Sequence, residues 1–208
     1  MTDAEPHPPV TVPGVHDVPD SRLVVEGRLR ERLARDAQAQ GVLDVAYRTV
    51  DTPVGELLVA ATEAGVVRLA FAIEGFDSVL DTLARRVSPR VLRAPARLDR
   101  LVVELEEYLA GRRLAFDVPV DLRLTSGFRR QVVTRLPEIP YGSTASYAAV
   151  ARSAGSPRAV RAVGTACATN PLPLVMPCHR VVRSDGAAGR YVGGPEAKVW
   201  LLGLERGR

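Results

Sequence analysis

The sequence predicts an α+β protein: a small N-terminal antiparallel sheet with helices, then a mostly helical C-terminal domain with a helix-turn-helix. Short β-prone runs split by glycine turns lie in the first half, whereas helical periodicity dominates the second. A length of 208 residues with 46% hydrophobic content is enough for two small cores. We therefore expect domains over residues 45–120 and 121–208.

Two segments precede these domains. Residues 1–20 carry five prolines and few aliphatic residues, so we expect a disordered leader. Residues 21–44 are predicted to form an amphipathic helical extension, with a helix from Ser21 to Gln40 that Gly41 ends. The apolar positions of that helix are Leu23, Leu29 and Leu33.

The N-terminal domain begins with three predicted strands, because β-prone residues alternate with tight-turn sequences. The strands are expected at Val45–Val50, Leu57–Ala61 and Val66–Phe71, joined as antiparallel hairpins. Helical periodicity then predicts helices over Ser78–Val87 and Leu98–Ala110, the second ended by Gly111.

The C-terminal domain is predicted to be mainly helical. Expected helices cover Phe128–Leu136, Tyr147–Ala154, Ser156 to about Thr169 with Pro157 in its first turn, and Pro195 to Glu205. The second and third of these, joined at Gly155, form a helix-turn-helix candidate. We expect Arg158 and Arg161 to share one face of its second helix.

Charge is distributed unevenly along the chain. Residues 120–208 carry a net charge of +8, whereas residues 1–119 carry −4. A basic half favours an anionic partner, with nucleic acid the leading candidate and a solvated basic surface the alternative.

The composition also excludes several classes of protein. No apolar run approaches the roughly 20 residues of a membrane span, so no membrane association is expected. An acidic, proline-rich N-terminus lacks the pattern of a secretory signal, which favours a cytoplasmic protein with reduced thiols. Cys167, Cys178 and one histidine outside the leader fall short of a structural zinc site, so neither metal nor cofactor is predicted.

The most informative residues are Cys178 and His179, which follow a helix-breaking proline. His179 could accept the thiol proton directly or through a water, and Glu205 could orient the imidazole. Such a relay also suits a Cys-His hydrolase that acts outside nucleic acids. From these residues alone, an inert buried cysteine beside a surface histidine also remains open, whereas Cys167 indicates core packing.

The flanking sequence resembles the O6-alkylguanine-DNA alkyltransferase family. The resemblance covers about Ala46 to Glu205 and is carried by Arg161-Ala-Val-Gly-Thr, Asn170-Pro, Pro177-Cys-His-Arg-Val-Val182, Gly189-Arg-Tyr-Val-Gly-Gly194 and Lys198-Val-Trp-Leu-Leu202. It implies DNA repair by direct reversal, in which one alkyl group moves irreversibly from O6-alkylguanine, and from O4-alkylthymine, to a cysteine. It also implies a monomer that binds double-stranded DNA through the minor groove and flips the damaged base.

The same resemblance assigns roles to individual residues. Cys178 would be the alkyl acceptor, His179 the water-mediated base, Glu205 its orienting carboxylate and Asn170 a hinge for the cysteine segment. Tyr147 would donate to the guanine N3 side, and Arg161 would replace the flipped nucleotide. Further DNA contacts would come from Tyr147, Arg158 and Arg180, and the substrate pocket would be lined by Pro173, Val181, Tyr191, Val192 and Gly193.

Three positions depart from the family pattern. Val192 stands where some relatives have serine, Arg190 where asparagine or glycine is common, and Pro195 where an apolar residue is usual. The changes bear on the size of alkyl group accepted and on DNA affinity. A non-catalytic lesion binder of the alkyltransferase-like type is a second alternative, but such proteins lack the cysteine that this chain has at position 178.

Overall fold

A computed structural model of the protein describes residues 21–207, so the predicted leader lies outside the described residues. The helices within this span are α1 (Ser21–Ala39), α2 (Phe76–Arg86), α3 (Asp99–Leu109), α4 (Gly127–Arg135), α5 (Tyr147–Ser153), α6 (Val160–Ala168) and α7 (Gly194–Arg206). The strands are β1 (Val45–Val50), β2 (Leu57–Thr62), β3 (Gly65–Phe71), β4 (Val91–Arg93), β5 (Ala145–Ser146) and β6 (Val181–Val182). The predicted α+β class is confirmed.

The N-terminal sheet has the strand order β3-β2-β1-β4. The predicted strands β1, β2 and β3 pair as antiparallel hairpins, whereas β4 adds to β1 in parallel, which makes the sheet mixed. Strand β4 is not predictable from the sequence, because its three residues, between Pro89 and Pro95, are too few to show an alternating pattern. Gly65 begins β3 with a φ of +137°, and a Cβ atom there would lie 2.3 Å from the Pro119 carbonyl oxygen.

The outer edge of β3 is hydrogen-bonded to segments that lie far away in sequence. Val66 donates its N–H to the Pro119 oxygen and accepts from the Asp121 N–H, each at 2.8 Å. Further along the strand, Leu69 N–H donates to the Pro171 oxygen, also at 2.8 Å. The edge strand is therefore paired with the linker before α4 and with the loop that leads to Cys178.

One hydrophobic core joins the two halves of the chain. Leu69 of β3 and Leu105 of α3 belong to the same buried cluster as Val163 of α6 and Leu201 of α7. Cys178 lies in this cluster as well, so the thiol is placed by packing from both halves. Among residues 21–207, no helix combines the length and apolar character that a membrane span requires.

Helix α1 forms as predicted, but it packs through a different face. Leu29 and Leu33 are 60% and 57% exposed, whereas Ala34 and Ala37 are buried against Leu43, Ala46 and Ala94. Small alanine side chains let the helix approach the sheet closely, which the larger leucines would prevent. The predicted role of these two leucines as the packed face is therefore wrong.

Candidate active site

Asn170 fixes the loop that carries the cysteine. Its side-chain nitrogen donates to the Met176 oxygen at 2.8 Å, and its side-chain oxygen accepts the Leu172 N–H at 3.1 Å. Between these contacts Leu174 has a φ of +72°, a conformation that non-glycine residues adopt at a cost of about 1 to 3 kcal/mol. The buried amide thus closes a tight loop immediately before Cys178.

Cys178 opens a 3-10 turn over Cys178–Arg180, and its side chain is almost entirely buried. The turn is closed by Val181, whose N–H donates to the Cys178 oxygen. Burial raises the pKa of the thiol to about 11, although a hydrogen bond from Asn170 and the charge of Lys198 act in the opposite direction. The resting group at neutral pH is therefore the thiol, and reaction requires that a base remove its proton.

His179 is hydrogen-bonded to a carboxylate through one ring nitrogen, and its other ring nitrogen is unpartnered among the described residues. Its Nε2 lies 2.8 Å from Glu205 Oε1, so Nε2 carries the ring hydrogen and Nδ1 is the free acceptor. Nδ1 is buried and has no hydrogen-bond partner in the part of the chain that the structure describes. Burial lowers the pKa of His179 in spite of the neighbouring carboxylate, which keeps the imidazole neutral and able to accept a proton.

Glu205, in the last turn of α7, is the centre of the buried polar network. Its carboxylate accepts from His179, from the Gly142 N–H at 3.0 Å and from the Arg180 guanidinium at 3.0 to 3.2 Å. Burial alone would raise the pKa of Glu205, but the hydrogen bonds from His179, Arg180 and Tyr108 outweigh it and hold the pKa at about 2. Glu205 is therefore a fixed negative charge across the functional pH range.

Arg180 does not lie where the DNA-binding prediction requires. The residue is only 5% exposed, and beyond its contacts with Glu205 it donates to the Ile139 oxygen at 2.7 Å. Because its guanidinium is buried and hydrogen-bonded within the protein, Arg180 cannot contact a DNA phosphate. The prediction is wrong, and the arginine instead neutralises the Glu205 carboxylate in the interior.

Tyr108 is a site residue that the sequence reasoning missed. It lies on α3, and its hydroxyl donates to Glu205 Oε1 and lies 3.2 Å from His179 Nε2. In sequence it continues the apolar stripe of Leu98, Leu101 and Leu105, which gives no sign of a polar role. Only the three-dimensional contact shows that the N-terminal half reaches the polar network.

Tyr191 and Gly193 form a wall near the thiol together with Phe71 of β3. The Tyr191 ring meets Phe71 edge to face at 5.6 Å and His179 at 6.2 Å, and its buried hydroxyl has no hydrogen-bond partner among the described residues. A Cβ atom at Gly193 would lie 2.6 Å from the Phe71 ring. Of the other predicted pocket residues, Pro173 and Val181 are buried and Val192 is half-buried.

The two helices predicted as a helix-turn-helix are present as α5 and α6. Ser146 caps α5 by accepting the Ala149 N–H at 3.1 Å, which places Tyr147 half-buried in the first turn. However, α6 begins at Val160 and not after a Ser156 cap, so the predicted start is wrong. Ser156 instead closes a turn with its carbonyl oxygen, which accepts the Ala159 N–H.

This correction separates the two arginines that were predicted to share a helical face. Arg158 lies in the turn before α6, whereas Arg161 lies in the first turn of the helix itself. Both side chains are exposed, as is that of Arg152 at the end of α5. We call Arg152, Arg158 and Arg161 the basic surface.

Fold and site together define a two-part protein with a buried cysteine, a buried His179–Glu205 pair and an exposed basic surface. Residues 45–122 match the "6-O-methylguanine DNA methyltransferase, ribonuclease-like domain", and residues 127–207 match the "6-O-methylguanine DNA methyltransferase, DNA binding domain". The chain belongs to the 6-O-methylguanine DNA methyltransferase family.

Individual relatives agree with this placement. The chain is 38% identical over 164 residues to the constitutive methylated-DNA--protein-cysteine methyltransferase of Bacillus subtilis (strain 168), covering 77% of this chain and 94% of the relative. The crystal structure of Mycobacterium tuberculosis O6-methylguanine methyltransferase superposes with a TM-score of 0.70 at 35% identity, covering 79% and 94% of the two chains. A structure of the M. tuberculosis protein in complex with DNA gives a TM-score of 0.67 at 35% identity, covering 78% and 93%.

Proposed function

We propose that the protein repairs alkylated DNA by moving one alkyl group from O6-alkylguanine, or from O4-alkylthymine, to Cys178. The observation that carries the proposal is a buried Cys178 followed directly by His179, whose ring is hydrogen-bonded to the buried Glu205, in a chain of this family. Because the product is a thioether, which water does not cleave, each molecule would act once. The free thiols of Cys167 and Cys178 suit a reducing compartment, so we propose that the activity takes place in the cytoplasm. We further propose that the protein acts as a monomer, because Cys178, His179, Glu205 and the basic surface all belong to one chain.

DNA binding is assigned to the basic surface, with α6 in the minor groove. Exposed arginines attract the phosphate backbone whatever its sequence, so little sequence preference is expected. Arg161 would enter the base stack while the damaged nucleotide rotates out, as enzymes that act on a base require. Arg158 and Arg152 would contact the flanking phosphates.

Transfer itself is a displacement at the alkyl carbon. The Cys178 proton passes through a water to His179 Nδ1, the thiolate sulfur bonds to the alkyl carbon, and the bond from that carbon to guanine O6 breaks. The electron pair of the broken bond stays with the guanine, which takes a proton on its N3 side from Tyr147. Tyr147 then takes up a proton from solvent, and His179 releases its proton to solvent, so no net proton is gained or lost.

A labelled substrate tests this directly. Duplex DNA that contains O6-[14C]methylguanine is incubated with the protein, and the label is located by peptide mapping. We expect one label per protein molecule, all of it on Cys178, and no transfer by Cys178→Ala. Cys167→Ala is the matched control, because it removes the other thiol and should transfer normally.

The alternatives give different outcomes. Label that stays on DNA bound by the protein would indicate a lesion binder and overturn the proposal. Label released into solution over many turnovers would indicate a hydrolytic enzyme instead. Parallel reactions with O4-methylthymine test the second substrate.

A further inference from the structure

The composition singles out one basic residue. Of the 28 basic residues in the chain, 27 are arginine and Lys198 is the single lysine. The two types of basic side chain are not interchangeable at a buried position. Arginine spreads its charge over a wide planar group, whereas lysine is a compact point charge on a flexible stem.

The structure shows what is special about this position. Lys198 lies on α7 with its side chain fully buried, and its ammonium donates to the Val181 oxygen at 2.6 Å. Val181 in turn donates its N–H to the Cys178 oxygen, closing the 3-10 turn. A continuous path of hydrogen bonds therefore links Lys198 to the backbone of the residue that carries the thiol.

The buried ammonium also lacks a conventional counter-charge. Within residues 21–207, no carboxylate forms an ion pair with Lys198, although an isolated buried charge is costly. Burial lowers the pKa of Lys198, and the groups that raise it again are the thiols of Cys178 and Cys167 in their ionised form. In turn, the charge of Lys198 lowers the pKa of the Cys178 thiol.

We propose that the Lys198 ammonium is the fixed positive charge that stabilises the Cys178 thiolate, while its bond to Val181 holds the turn that presents the sulfur. Lys198 is thus a positioning and electrostatic residue, and the thiol proton still leaves through water to His179. Lys198 keeps its own proton throughout the transfer. The inference rests on the proposed function only for the choice of Cys178 as the nucleophile.

The test uses a reaction that needs no DNA. Iodomethane methylates a thiolate, so its rate of reaction with Cys178 reports the thiolate fraction. The full chain with Cys167→Ala, which removes the second thiol, is compared with the same protein carrying Lys198→Met between pH 7 and 10. Val199→Ala, at the exposed neighbouring position of α7, is the control for a change in the helix.

Loss of a nearby positive charge raises a thiol pKa by about one unit or more, so Lys198→Met should slow methylation by about tenfold at pH 7.5. The difference should begin to close once Lys198 itself loses its proton, because the wild-type charge is then gone as well. Since the chain has one lysine, 13C-lysine labelling gives a single side-chain signal, and its midpoint gives that pH independently.

Two results would overturn the inference. Equal methylation rates would exclude an electrostatic role, and a ratio of rates that stays constant as the pH is raised through and above the NMR midpoint of Lys198 would indicate that Lys198 only supports the fold. If Lys198→Met does not fold, the inference is tested on the protein with Lys198 intact. Its plot of methylation rate against pH must become less steep at the NMR midpoint of Lys198. None of these outcomes depends on alkyl transfer from DNA, so the proposed function can fail separately.

Discussion

The Tyr108 hydroxyl donates a hydrogen bond to Glu205, so a residue of the first half of the chain completes a polar network built by the second half. The same hydroxyl lies 3.2 Å from His179 Nε2. Tyr108 therefore shares one carboxylate oxygen with the imidazole and competes with it for negative charge. This contact links α3 to the protonation of the base.

Tyr108→Phe should shift the pH profile of alkyl transfer. Without the phenol, Glu205 has more negative charge to offer His179, which favours the imidazolium and raises the His179 pKa. The acid limb of the rate profile should therefore move to higher pH, with a loss of about 1 kcal/mol in stability. Single-turnover rates from pH 5 to 8 measure the shift. Tyr47→Phe on β1 is the matched control, and an unchanged acid limb would exclude the coupling.

Glu205→Gln should destabilise the fold strongly. The change leaves the buried Arg180 guanidinium without its carboxylate, and breaking a buried pair in this way costs about 3 to 5 kcal/mol. Urea unfolding gives the free energy difference. Glu138→Gln, which breaks an exposed pair with Arg135, should cost less than about 1 kcal/mol. Similar losses in the two variants would contradict the central position of Glu205.

Acid should destabilise the protein in two stages. The pKa of His179 in the folded protein lies below its ordinary 6.5. Its contribution to the free energy of unfolding is therefore fully present above pH 6.5 and is lost as the pH falls through the folded pKa. The second stage comes from Glu205, whose pKa falls from 4.5 to about 2 on folding, so its contribution to the free energy of unfolding is lost as the pH falls from 4.5 to about 2. Unfolding free energies at pH 7, 5.5, 4 and 3 test both stages. His179→Gln should lack the first stage and keep the second.

Gly193→Ala should be destabilising through overpacking. The added methyl would lie 2.6 Å from the Phe71 ring, and overfilled cores lose about 1 to 3 kcal/mol. Adding Phe71→Leu should recover part of the loss, which a double-mutant cycle measures. Gly203→Ala on α7 is the control, because nothing lies within 4 Å of its new methyl group and a helical alanine is favoured. Additive losses in the cycle would show that the two residues do not meet.

Arg158→Ala should weaken DNA binding without loss of stability, because the side chain is exposed in the turn before α6. Removing one phosphate contact should lower the dependence of binding on salt by about one unit on a log-log plot. Fluorescence anisotropy against salt concentration measures this slope. Arg112→Ala removes an equally exposed charge outside the basic surface and should leave the slope unchanged. If Arg112→Ala lowered the slope by the same amount, DNA binding would depend on the net charge of the protein and not on the basic surface.

Sequence reasoning predicted the elements with strong periodicity and the residues within a distinctive motif. Strand β1 has its predicted bounds, and His179 lies 2.8 Å from Glu205, the carboxylate that the sequence paired with it. The failures share one cause, which is that side-chain partners depend on contacts distant in sequence. Tyr108 lies in an apolar helical stripe with no local sign of a polar role, and Arg180 follows Cys178 and His179 in sequence yet is buried.

The paired edge of β3 has a consequence for handling the protein. Both segments that occupy this edge lie outside residues 66–71, and one of them, Pro171, belongs to the loop before the thiol. A fragment that ends near residue 118 would leave the edge open, and open strand edges recruit other chains into aggregates. Solubility of the first half therefore depends on covalent attachment to the second, which makes the intact chain the unit to express.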